Sequence, residues 1–166
     1  EDWVTGIHIT NTSDLTQVVK LRLRRGDDSM DALDFNIILS PRDMWTGLVK
    51  GDDESNVTLN TSDNSCTAPL TDGKFPMPVS QPGFPAFNEG AMEGYVEIIG
   101  MGSADSAQPI YAASLHGADG VPADCGAVES NFFRNTTATT AAARFPSQST
   151  PVKPRRKSTP RPQPAG

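Results

Sequence analysis

Residues 21–39 read LRLRRGDDSMDALDFNIIL. Leu21 and Leu23 alternate with Arg22 and Arg24, and the apolar row reaches back to Val19. After the break at Gly26–Asp31, Leu33, Phe35, Ile37 and Leu39 repeat the same two-residue period. Successive side chains of an extended chain point to opposite sides, so each run has one face for a core and one for water. That pattern belongs to half-buried antiparallel strands. Arg25-Gly26-Asp27 sits between them and has two readings, a recognition tripeptide or a turn. The turn explains more: Gly26 tolerates positive φ, and Asp27, Asp28 and Ser29 can bond nearby backbone.

Other strands flank this hairpin. WVTGIHIT (3–10) puts Trp3, Ile7 and Ile9 on one face and His8 and Thr10 on the other, and the turn formers NTSD end it. SPRD closes the third strand, because Pro41 cannot donate to a ladder. MWTGLV (44–49), GYVEIIGMG (94–102) and PIYAASLHG (109–117) read as further strands, with a short extended candidate at Val57–Leu59. Residues 50–90 otherwise form a long polar and proline-rich loop, in which Pro76, Pro78, Pro82 and Pro85 exclude a central strand. No stretch shows a clear apolar face at helical spacing, and NFFRNTTATTAAARF (131–145) fits a short helix or a strand equally. Several short strands bounded by turn residues predict an all-β fold, an antiparallel β-sandwich of immunoglobulin-like or jelly-roll type spanning residues 1–145. Residues 146–166 are proline-rich and basic and are expected to be a disordered tail.

Charge separates body from tail. All 20 acidic side chains precede residue 146, whereas Lys153, Arg155, Arg156, Lys157 and Arg161 lie in the tail. An acidic body repels nucleic acid and anionic bilayers, so neither is expected as its partner. The tail suits an anionic surface, a polyproline-II groove or a passive linker. No apolar run approaches the roughly 18 residues needed to span a bilayer. The chain opens at EDWVTG without initiator Met or signal peptide, as a processed product or a cut fragment would. Cys66 and Cys125 are expected to form a disulfide worth on the order of 4 kcal/mol, which points to an exported protein. His8 and His116 lack metal-site spacing, and no cofactor or metal is read from the chain.

The blocks WVTGIHITNTSD, VVKLRLRRGDDSMDALDFNIILSPRDMWTG, DNSCTAP and GYVEIIGMG, across roughly residues 1–130, resemble a group of uncharacterised secreted or surface-associated bacterial proteins. The resemblance implies an exported β-rich fold and no activity. Members of that group carry an additional apolar strand upstream of the position of Trp3. By that resemblance, this chain lacks an edge strand that another segment or another copy would supply.

Candidate sites are few. Asn11, Asn56, Asn60 and Asn135 head N-x-S/T triplets and are read as turn residues in preference to glycan sites. Asp52, Asp53, Glu54 and Asp63 could offer oxygens to Ca²⁺ but have no recognised spacing. Cys125 or a serine beside His116 or His8 lacks the context of a nucleophile, so no catalytic residue is assigned. Trp3, Trp45, Phe84, Phe87 and Tyr95 could form an aromatic platform, although Trp3 and Trp45 look like core. Phe75, Phe84 and Phe87, on the proline-rich loop, are the candidates for exposed ligand contacts. The expected function is that of an exported, non-enzymatic structural or surface protein acting by contact, through self-assembly or a donor strand added at an incomplete sheet edge. The alternative is a carbohydrate- or ligand-binding module using the aromatic residues of the loop.

Overall fold

The hairpin read from residues 21–39 is the centre of one of two sheets in the computed structural model, which describes residues 4–51, 57–76 and 91–133. β2 (Thr16–Arg25) and β3 (Asp31–Leu39) pair antiparallel, Leu21 opposite Phe35 and Val19 opposite Ile37. β6 (Cys66–Ala68) adds to β3, and β8 (Gly94–Ala104) to β2. The second sheet has the order β1 (Val4–Thr10), β4 (Met44–Gly51), β5 (Val57–Asn60), β7 (Lys74–Pro76). All pairings in both sheets are antiparallel. The two four-stranded sheets pack as a β-sandwich.

Alternation decides what lies between the sheets. Leu21, Leu23, Phe35, Ile37 and Leu39 meet Trp45, Val57, Leu59 and Phe75 in one core cluster. Phe35 is its hinge: it stacks on Phe75 with centroids 4.0 Å apart and meets the Trp45 ring edge-on at 5.9 Å. Gly47 shares the inward face with Trp45, and a Cβ there would overlap the indole ring. The opposite faces of β2 and β3 carry a charge ladder, with Lys20 on Asp34 (2.8 Å), Arg22 on Asp31 (2.6 Å) and Arg24 on Glu97 (2.7 Å).

The first two crossings between sheets, β1 to β2 and β3 to β4, use the turns read from the sequence, and Asn11 ties them together. Its Nδ2 donates to Leu15 O and Ser40 O at 2.7 Å, and its Oδ1 accepts from Ser13 N and Oγ. Buried at 4% exposure, Asn11 is a turn residue with its amide fully engaged. Arg42 reaches back to Asp14, and this hydrogen bond and charge hold the exposed Asp14 carboxyl below its ordinary value. A depressed carboxyl stabilises the fold above the ordinary carboxylate range and loses that contribution on acidification.

The Arg25-Gly26-Asp27 turn joins β2 to β3 as expected, but its strained position falls elsewhere. Positive φ is taken by Ser29 (61°), and Gly26 is required for close approach, its N–H donating to Glu93 O at 2.8 Å. The long loop expected over 50–90 contributes β5, β6 and β7. Residues 109–117 form no strand. Pro109–Ser114 is the helix α1, with proline in its first turn and a start organised by Asp105 and Gln108. A second helix, α2 (Cys125–Phe132), follows Asp124, whose carboxylate accepts from Ala127 N at 2.8 Å as an N-cap. Six- and eight-residue helices are too short to show a periodic face. Both pack on the outer side of β3 and β6 around Ile38, Cys66, Ile110 and Val128.

The Cys66–Cys125 disulfide forms as expected and pins α2 to β6, with Cα atoms 5.1 Å apart. No helix among the described residues is long and apolar enough to cross a membrane. The boundary expected at residue 145 and the tail lie outside the described residues.

Two measurements check this core. Reduction, or Cys66→Ser with Cys125→Ser, should lower unfolding free energy by about 2–5 kcal/mol in a denaturant titration; unchanged stability would mean α2 is held without the bridge. Gly47→Ala should cost about 1–3 kcal/mol by forcing the Trp45 ring to move, with a changed indole emission.

Candidate functional site

The four sheet edges are unequal. β7 is three residues long, with Lys74 and Pro76, both of which discourage a further strand. β6 is equally short, lies beneath α2 and is followed by Pro69, which has no N–H to donate. β1 and β8, with seven and 11 residues, have no such protection. Among the described residues neither pairs beyond its single neighbour, β4 or β2.

β8 is exposed in an unusual way. Val96 lies opposite Leu23 and Ile98 opposite Leu21, so both belong to the side that faces the core. Leu21 and Leu23 are 0% and 7% exposed, yet Val96 and Ile98 are 41% and 49% exposed. The side chains on one ladder rung thus go from dry to half-wet in the width of one strand. The cause is the lack of a facing strand. β1 is the last strand of the facing sheet, and nothing among the described residues continues that sheet over β8. Thr5 and Ile7 of β1 and Tyr95 and Val96 of β8 border the resulting cavity of about 110 Å³, floored by Leu23, Ala32 and Val49.

The outer side of β8 is also apolar at Tyr95, Ile99 and Met101, each exposed. Its one charge, Glu97, is engaged by Arg24 and lies 3.8 Å from Arg22. That carboxylate, by hydrogen bonding, raises the Arg24 guanidinium above its already high ordinary value. A strand of this length with five exposed large apolar side chains and no free charge is what sheets ordinarily avoid at an edge.

The residues singled out from sequence fare differently. Phe75 is a correction: at 5% exposure, stacked on Phe35, it is a core residue unable to contact a ligand. It lies in β7, whose inward face the prolines around it concealed. Phe84 and Phe87 lie outside the described residues, as do Trp3, Asp52, Asp53, Glu54, Asn56 and Asn135. Trp45 is fully buried, and Tyr95 stands alone on β8. Asp63 uses both oxygens on the Thr46 and Ser65 backbone and the Ser65 hydroxyl, and among the described residues no acidic, His or Cys cluster could hold a metal.

Ser40, His116 and Asp43 do come together. Ser40 Oγ is 3.0 Å from His116 Nδ1, and Asp43 Oδ2 is 3.8 Å from the same nitrogen. A proton relay needs serine on one ring nitrogen and carboxylate on the other. Here both address Nδ1, and Ser40 is 4% exposed, so the group ties the β3–β4 turn to the loop after α1. A shallow groove of about 590 Å³ over Gly6, His8, Thr46, Leu48 and Asn60 has no Phe, Tyr or Trp and no charged pair in its lining.

Comparison with protein-family models, with curated proteins and with solved structures finds no match to this chain.

The asymmetry across one ladder rung is directly measurable at low protein concentration. Leu21→Ala should cost about 2–5 kcal/mol of unfolding free energy and Ile98→Ala about 1 kcal/mol or less. Equal losses would show that β8 is as dry as β2.

Proposed function

We propose that this chain is an exported, non-enzymatic surface or extracellular protein that acts by contact, accepting an extended strand at the open side bounded by β1 and β8. The single observation that carries this reading is the half-exposure of Val96 and Ile98 on a face that is otherwise dry. A sheet edge offers a row of unpaired N–H and C=O groups. An added strand satisfies them and lays alternate apolar side chains on its neighbours. The contrast with the blocked β6 and β7 edges supports β1 and β8 as the edges meant for use. The disulfide implies folding in an oxidising compartment, and the placement outside the cell extends that implication. The alternative of a ligand module on the loop loses Phe75, and its remaining residues, Phe84 and Phe87, carry it alone.

A synthetic peptide copying Gly94–Gly102 is a suitable probe, because its alternation matches what such an edge accepts. Added to the full chain, it should slow hydrogen exchange at β8 or β1 amides, and Val96→Lys with Ile98→Lys should weaken its binding about tenfold or more. Absence of binding up to about 1 mM, with edge amides exchanging at unchanged rates, would sink strand capture.

A further inference from the structure

We propose that the occupant of the β8 edge is a second copy of this chain, the two β8 strands pairing antiparallel about a two-fold axis beside Ile98. This pairing presupposes the strand-accepting role proposed above and names its partner.

The charge layout of the edge selects both partner and register. Lys20, Arg22 and Arg24 of β2 stand beside Ile99, Glu97 and Tyr95 of β8 on the outer face. A partner edge rich in acid would crowd Glu97, and one rich in base would face the Arg22–Arg24 row. A second β8 brings neither, because each Glu97 arrives already engaged by its own arginines. A two-fold axis normal to the sheet keeps outer face with outer face, so paired residues must come from the same side of β8. Pairing Glu97 with Glu97 would set like charges directly opposite, which is destabilising. Pairing Ile99 with Ile99 would bring Glu97 against Met101, at the bulge where β8 slips against β2 between Gly100 and Gly102. Pairing Ile98 with Ile98 keeps the Glu97 carboxylates apart and away from the bulge, where the uncharged Tyr95 meets Met101 instead. Glu97 then faces Ile99 of the second copy, Val96 faces Gly100 and Tyr95 faces Met101.

The same arrangement deals with the wet half of the core. Val96 and Ile98 of both copies form one apolar strip on the inner side, beside the cavity that Val96 shares with Thr5 and Ile7 of β1. On the outer side Tyr95 and Met101 become lateral apolar neighbours across the axis. The acidic body opposes association at long range, whereas the contact itself is apolar. Salt should therefore strengthen dimerisation by screening the bodies. Docking of the basic tail on a neighbouring acidic body would be weakened by salt.

Sedimentation velocity of the full chain over a concentration series, at about 50 mM and about 500 mM salt, tests this together with cysteine substitutions. The expected result is a monomer–dimer equilibrium, tighter at high salt and weakened about tenfold or more by Ile98→Lys at unchanged near-UV circular dichroism. Ile98→Cys should form a covalent dimer under mild oxidation, since directly opposed strand residues have Cα atoms about 4.5–5.5 Å apart. Val96→Cys should not, because its copies would stand about 13 Å apart along the strands. A chain that remains monomeric to about 1 mM overturns the pairing. So does a dimer indifferent to Ile98→Lys, or one that cross-links through Val96→Cys and not Ile98→Cys. If the monomeric chain still binds the Gly94–Gly102 peptide, strand capture survives and the second copy is excluded as its partner.

Discussion

Water leaves the space between two sheets only where each has a strand standing opposite the other. In this chain the condition is met over β2, β3, β4 and β5, where Leu21, Phe35, Ile37, Trp45 and Leu59 are fully or almost fully dry. It fails at β8. The failure arises from topology: β8 hydrogen-bonds to β2 along its length, which fixes its place in one sheet, while among the described residues the facing sheet ends at β1. Two strands with ordinary composition thereby become an exposed apolar margin. An alanine or serine at Ile98 would have removed the exposure without loss to the hydrogen-bond ladder, yet the position is isoleucine.

The rest of the molecule restricts where contact can occur. The disulfide and α2 close over β6, and Lys74 and Pro76 blunt β7. The outer face of β2 and β3 is occupied by an ion-pair ladder and by the two helices. Asn11 binds the β1–β2 and β3–β4 turns into one buried node. Among the described residues, Ser40, His116 and Asp43 form a tie among loops, and Asp63 organises a turn.

Much of this fold was legible because a strand's side-chain period is local. Val19, Leu21, Leu23 and then Phe35, Ile37, Leu39 announce their inward face without knowledge of any partner, and Asn11, Gly26 and Pro41 announce breaks by their own backbone chemistry. The helices were not legible for the converse reason. Pro109–Ser114 contains barely more than a turn, and Ile110 and Ala112 alternate as well as any strand would. Phe75 was hidden because Pro76 and the prolines that follow it in the sequence look like a surface loop until Phe75 is seen opposite Leu59 of β5 and stacked on Phe35.

Sequence by itself determined the all-β class, the inward face of each long strand, the turns and the pairing of Cys66 with Cys125, since each depends on residues close in the chain or on there being only two candidates. Tertiary structure alone decided which strands stand at the edges and which apolar faces go uncovered. Val96 and Ile98 carry the same two-residue signal as Leu21 and Leu23, and what separates them among the described residues is whether a strand of the other sheet stands opposite.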